Sequence, residues 1–158
     1  MKPDAYTSIE WSYRGRVLHL TMNRPHRLNA VDAGLHTELA QVFVDAAADP
    51  GCDVIVLTGA GRAFCAGGDL DWQQRAIDDP ASFDRTVVEA RRIIFSLLDC
   101  EKPIIAKVNG PAVGLGCTPA LFCDVIFAAE DARIADPHVG VGMVVGDGGA
   151  VIVSGSGP

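Results

Sequence analysis

Two glycine-rich stretches hold the residue types from which a site for a developing negative charge can be built. The first is Gly59-Ala60-Gly61-Arg62-Ala63-Phe64-Cys65-Ala66-Gly67-Gly68-Asp69-Leu70, and the second is Asn109-Gly110-Pro111-Ala112-Val113-Gly114-Leu115-Gly116. Each follows an apolar run (Val54–Thr58 and Pro103–Val108) that reads as a buried strand, and each leads into helix-compatible sequence. Glycines at such a junction let the chain turn sharply and bring main-chain N–H groups close to a ligand. Donors around Gly67 and Gly68, facing donors from the second stretch, would form an oxyanion hole. The plain alternative is a tight connection without a ligand. Against it, Gly67-Gly68-Asp69 goes beyond what a turn requires.

Neither stretch is a dinucleotide fingerprint. Where G-x-G-x-x-G needs its third glycine, Gly59-x-Gly61 meets Phe64, Gly114-x-Gly116 meets Pro119 and Gly140-x-Gly142 meets Val145. The formal charge of −7 argues against nucleic acid as a partner, since phosphate binding needs a basic face. Five cysteines without a C-x-x-C pair, behind a start with no apolar signal region, suggest reduced thiols in a cytoplasm. No Cys or His pair has metal-ligand spacing, and no apolar run approaches a membrane span.

The elements that must position these bends can be read from periodicity. Ser8–Tyr13 and Val17–Met22 read as a hairpin turning at Arg14-Gly15, and residues 23–30 as a basic loop. From Asp32 a helix is expected with Leu35, Leu39, Val42, Phe43 and Ala46 on its apolar face. After Asp78-Asp79-Pro80, Ser82 is a candidate N-cap for a second amphipathic helix marked by Val87, Val88, Ile94, Phe95 and Leu98. A short helix is expected near 117–122, then a third buried strand at Val125–Ala129 and a fourth at Arg133–Ala135. Alternating strands and helices imply an α/β fold in one domain, 1–153, with 154–158 as a tail. His19, His26 and His36 read as incidental.

Taken in order, these stretches resemble the enoyl-CoA hydratase/isomerase family, the crotonase superfamily. The resemblance rests on Leu20–Pro25 with Leu28-Asn29-Ala30, on 59–70, on Lys102–Ala106 with Val108-Asn109-Gly110, on Cys123–Ala128, and on Gly146–Gly149. It implies a crotonase-like spiral of repeated β-β-α units that binds a coenzyme A thioester. No cofactor is implied, coenzyme A being part of the substrate. The main-chain donors would be Gly68 and Leu115. Arg24, Arg27, Leu28 and Ala30 would lie near the CoA phosphates and adenine, and Ala66, Asp69 and Leu70 would line the pantetheine and acyl channel. Family chains usually continue into C-terminal helices and assemble as trimers or pairs of trimers, so the resemblance implies a homo-oligomer and an incomplete C-terminus.

The departures bear on the reaction. The two glutamates that activate water in the family's hydratases fall at Thr118 and His138 here. What remains is His138 with Asp147, a combination most like 6-oxocamphor hydrolase, which cleaves a carbon–carbon bond. A histidine titrating near ~6.5 suits acid–base work at neutral pH. The expectation is therefore an acyl-CoA enzyme using His138 and Asp147; Thr118 could place a water but is too weak a base alone, and its structural reading is preferred. A catalytically silent thioester binder is the alternative.

Overall fold

The computed structural model describes residues 5–142. The chain starts with the expected hairpin, β1 (Ile9–Arg14) and β2 (Val17–Met22), antiparallel from Ile9↔Met22 to Arg14↔Val17. β3 (Val54–Gly59), β4 (Ile104–Val108) and β6 (Val125–Ala128) then join in parallel, giving a five-stranded sheet in the order β1-β2-β3-β4-β6. Parallel neighbours need long crossovers, and here these contain the helices α1 (Ala33–Ala47), α2 (Leu70–Asp78), α3 (Ala81–Leu98) and α4 (Cys117–Leu121).

A second, short sheet accompanies the first. β5 (Ala112–Val113) pairs in parallel with β7 (Ile134–Ala135), and isolated parallel bridges join Cys65 to Ala112 and Val31 to Gly68. Successive turns of the chain thus give one strand to the long sheet and one short segment to the small one. This is the repeated β-β-α spiral in physical form.

The core lies between one face of the long sheet and the helices α1 and α3. Leu18, Leu20, Ile55, Leu57, Ile104 and Ala106 from the strands meet Leu35, Leu39, Val42, Phe43 and Ala46 of α1. The apolar face expected for α1 is therefore the buried one. Asp32 caps α1 by accepting from the Leu35 N–H at 2.9 Å. At its other end, Lys102 donates to the carbonyls of Ala46 and Asp49, where the helix dipole favours a cation. His36, expected to be incidental, is buried on α1. Its Nδ1 lies 2.9 Å from Glu89 of α3, and its ring packs against Trp72.

Three expectations change. β3 and β4 alternate between buried and more exposed residues instead of being buried throughout, because the described helices cover one sheet face. The run at Val125 forms a strand, but it is the sheet's edge and is exposed, Phe127 to 63%. Its apolar sequence anticipates a cover that the described residues do not supply. On α3, Ile94 is buried as expected, but with Ile93 and Leu97, while Val87, Val88, Phe95 and Leu98 face outward, Val88 to 68%. The helix starts at Ala81 with Pro80 in the cap position, so Ser82 lies inside it. Among the described residues, no helix is long and apolar enough to cross a membrane.

Lys102→Met should lower unfolding free energy by about 1–2 kcal/mol, since it removes the charged cap of α1. Urea denaturation would show this as a lower midpoint with an unchanged slope; an unmoved midpoint would deny Lys102 that role.

Candidate active site

The short sheet determines where the glycine bends lie. Parallel pairing sends neighbouring segments out at the same end, so the bends after Cys65, after Val113 and after Ala135 emerge side by side. Hydrogen bonds lock this arrangement. Phe64 and Cys65 N–H both donate to the Pro111 carbonyl at 3.0 Å, and Val113 N–H donates to the Cys65 carbonyl at 2.9 Å. Gly67 adopts φ +90°, where a Cβ would also lie 2.9 Å from the Val113 carbonyl oxygen, so glycine is required twice over.

The loop after β2 joins the same cluster. Ala66 N–H donates to Leu28 O at 3.0 Å, Val31 N–H to Gly67 O at 2.7 Å, and Asp69 N–H to Val31 O at 2.8 Å. Leu28 and Asn29 both take left-handed φ (53° and 57°), which folds the loop back over the first bend. Asn29 is fully buried; its Oδ1 accepts from Arg24 N–H at 2.9 Å and its Nδ2 donates to Ala60 O at 2.8 Å and Ala63 O at 2.9 Å.

From the third segment, the ring of His138 lies against the second bend. A Cβ built on Gly114 would be 3.5 Å from His138 Cε1 and 3.8 Å from Nε2. The opposite ring nitrogen, Nδ1, makes a short contact with Asp136 Oδ1. Thr118 is completely buried within α4, and its hydroxyl donates to the Gly114 carbonyl at 3.4 Å. Burial pushes the Cys65 thiol up to about 12, so it stays protonated at neutral pH and is not a nucleophile.

This arrangement has known counterparts. The profile of the family described as "Enoyl-CoA hydratase/isomerase" matches residues 13–155. The chain belongs to that family. It is 41% identical over 139 residues to 2,3-dehydroadipyl-CoA hydratase of Escherichia coli, covering 87% of this chain and 52% of the relative. It is 38% identical over 130 residues to the mitochondrial enoyl-CoA hydratase of Pongo abelii, covering 82% of this chain and 43% of that one. The solved enoyl-CoA hydratase/isomerase from Mycobacterium paratuberculosis superposes with a TM-score of 0.92 at 40% identity, over 96% of this chain and 61% of that one. The fold is therefore the crotonase one, and the chain spans about half the length of the curated relatives it matches.

Within this enoyl-CoA hydratase/isomerase fold, the expected residues separate into two groups. Gly68, Ala66, Leu28, Ala30, Asp69, Thr118 and His138 all belong to the cluster of bends just described, and Leu115 lies in the helical turn Gly114–Gly116 of the second bend. Leu70 begins α2 and is 79% exposed, outside any enclosed channel among the described residues. Arg27 is largely exposed, with one long 3.4 Å contact to Asp71. Asp147 lies outside the described residues.

Arg24 is the clear change of role. Its guanidinium is 15% exposed and sits between Asp32 at 3.0 Å and Asp69 at 3.4 Å, while also donating to the Ala30 carbonyl. Those two aspartates are the N-caps of α1 and α2. Arg24 thus fastens two helix starts to the first bend, with Nη1 and Nη2 both directed at groups inside the protein. Burial alone would favour the neutral Asp69 acid. The Trp72 and Asp71 N–H groups and the Arg24 guanidinium outweigh it and hold this carboxyl below its ordinary 3.8.

The sequence reading missed four contributors. Asn29 and Asn109 were seen as motif letters without a task, although Asn109 Nδ2 donates to Gly61 O at 2.9 Å and its Oδ1 accepts from Gly59 N–H at 3.2 Å. Gln73 fills the space beside Gly68, its Nε2 2.3 Å from where a Cβ would stand. Asp136 was the most legible of the four: Asp-Pro-His has an Asx-turn residue two positions before a candidate base.

Arg24→Met should cost roughly 3 kcal/mol of stability by leaving the buried Asp69 carboxylate without its cation. Discrimination between CoA and 3′-dephospho-CoA esters should not change; a selective loss of affinity for the phosphorylated form would restore Arg24 as a phosphate ligand. Since the Asp69 carboxyl is depressed by folding, its contribution is complete above the unfolded value and disappears as pH falls through the lower folded value. Asp69→Asn should therefore flatten the acid limb of a stability-versus-pH curve. An unaltered limb would assign the acid sensitivity elsewhere.

Proposed function

We propose that this protein is an acyl-CoA enzyme of the hydratase/isomerase type that binds the thioester carbonyl oxygen through the main-chain N–H groups of Gly68 and Leu115. The supporting observation is the adjacency of the two glycine bends, cross-linked at Cys65–Val113, with the His138 ring against the second. Rigid main-chain donors favour the enolate-like oxygen over the neutral carbonyl, because they need not reorganise as charge develops. That polarisation acidifies the α-carbon and makes the β-carbon electrophilic, the shared start of hydration and double-bond migration. His138 then moves the proton, from an attacking water or from the substrate carbon, and Asp147 assists. Thr118, with its hydroxyl on the Gly114 carbonyl, steadies the second bend.

For the CoA portion, Arg27 is the cation that meets the phosphates, while Leu28, Ala30, Ala66 and Leu70 contact pantetheine and the acyl chain. Asp69 serves by holding the first bend. Residues 1–153 act as one domain with 154–158 as a tail, in a cytoplasmic homo-oligomer, a trimer or a pair of trimers. The outward apolar residues of α3 and β6 favour such assembly. No cofactor is required beyond the coenzyme A carried by the substrate.

A second reading has a specific basis. Neither position of the hydratases' glutamate pair carries a carboxylate, and the Thr118 hydroxyl is buried against the main chain. A silent thioester binder fits that, and His138 with Asp147 also fits hydrolytic C–C cleavage of a diketone.

A panel of crotonyl-CoA, a 3-oxoacyl-CoA, free CoA and NAD in thermal-shift and turnover assays tests the reading. Midpoints should rise with the acyl-CoA esters, and turnover should fall about 10²-fold or more in His138→Ala and Asp147→Ala. Stabilisation without turnover would select the silent binder; no stabilisation by any thioester would end the acyl-CoA reading.

A further inference from the structure

The Asp136–Pro137–His138 segment follows β7, and the pairing of β7 with β5 sets it alongside Gly114. Asp136 binds His138 twice. Its Oδ1 accepts the His138 main-chain N–H at 3.2 Å, closing an Asx turn, and makes the short contact with ring Nδ1. Both side chains are largely buried, 10% and 13% exposed. An ionised carboxylate can only accept, so a ring nitrogen held against it must be the protonated one. Gly114 packs on the ring's other edge, with Pro137 Cδ 3.8 Å from its built Cβ, as is Nε2. The turn, the proline and the glycine contact all bear on how the ring is oriented.

We infer that Asp136 is a positioning residue that holds His138 as the Nδ1–H tautomer, so that Nε2 is the nitrogen presented to the second glycine bend. Free imidazole has no such constraint. A base whose proton sits on the wrong nitrogen cannot accept one at the site, which is why an acidic partner on the far nitrogen matters in acid–base catalysis. The same carboxylate stabilises the imidazolium formed when Nε2 takes a proton. Asp136 therefore acts on the reaction only through His138. The inference deepens the acyl-CoA reading and rests on it for its catalytic consequence; the tautomer itself does not.

The test uses the full 158-residue chain, labelled with 15N-histidine and observed by long-range 1H–15N correlation in mildly alkaline buffer. His138 is assigned by the loss of its signals in His138→Gln. The wild-type ring should show protonated Nδ1 and unprotonated Nε2, Asp136→Ala should shift it towards the Nε2–H form, and Asp136→Asn should shift it partly while retaining the turn. With crotonyl-CoA, kcat should fall about 10²-fold in Asp136→Ala, with KM within about twofold because Asp136 touches no substrate. A wild-type Nε2–H tautomer, or the same tautomer in wild type and both Asp136 variants, overturns the inference whatever the activity. The expected tautomers together with full turnover in His138→Gln would uphold the positioning and instead remove His138 from the proposed chemistry.

Discussion

One carbonyl holds this structure together. The oxygen of Ala63 accepts from Asn29 Nδ2 at 2.9 Å and from Asn109 Nδ2 at 3.3 Å, so side chains from two other turns of the spiral meet on the first glycine stretch. Both asparagines use their remaining polar atoms on main chain nearby: Asn29 on Arg24 and Ala60, Asn109 on Gly59 and Gly61. Buried carbonyls in a bend have no ladder to satisfy them, and an unpaired one costs about 1–3 kcal/mol. The asparagine amides supply those partners and fix the loop geometry at the same time. The fit leaves no room at Gly59, where a Cβ would stand 2.2 Å from Phe64 O and 2.3 Å from Ala63 O.

This explains a division of labour. The side chains nearest the bends, Asn29, Asn109, Arg24, Asp69 and Thr118, are consumed in holding main chain. The result of their bonding is a fixed main-chain course through both bends. A main-chain course held in this way is insensitive to the identity of side chains that take no part in holding it, so one scaffold can carry different residues around the same bends.

The sequence made some of this legible and hid the rest for physical reasons. Glycine clusters announced both bends because few other residues permit positive φ and close approach. The spacing of Leu35, Leu39, Val42, Phe43 and Ala46 announced α1 because a helix repeats its apolar face at a fixed period. The internal role of Arg24 is hidden because a cation in a basic loop looks solvated until Asp32 and Asp69, far apart in sequence, are seen to close on it. The outward turn of Val87, Val88, Phe95 and Leu98 was likewise invisible, because α3 has apolar residues on more than one side and periodicity alone does not choose which side meets α1. β6 reads as a buried strand by composition, yet burial depends on its neighbours, and among the described residues it has a partner strand on one side only.

The third segment shows how the two kinds of information combine. Its sequence, Asp136-Pro137-His138, specifies a local turn whose side-chain acceptor is two residues before the ring, and this much is settled by short-range chemistry. Nothing local specifies what the ring faces. That is set by the two-residue pairing of β7 on β5, which carries the turn across to Gly114, and by the left-handed φ of +51° there, which presents a surface without a side chain. The His138 ring is thereby brought to the bend by a register and aimed by a turn. Each depends on a different length scale of the chain, so a slip of one residue in the short sheet would carry an intact Asp–His pair away from the bend it serves.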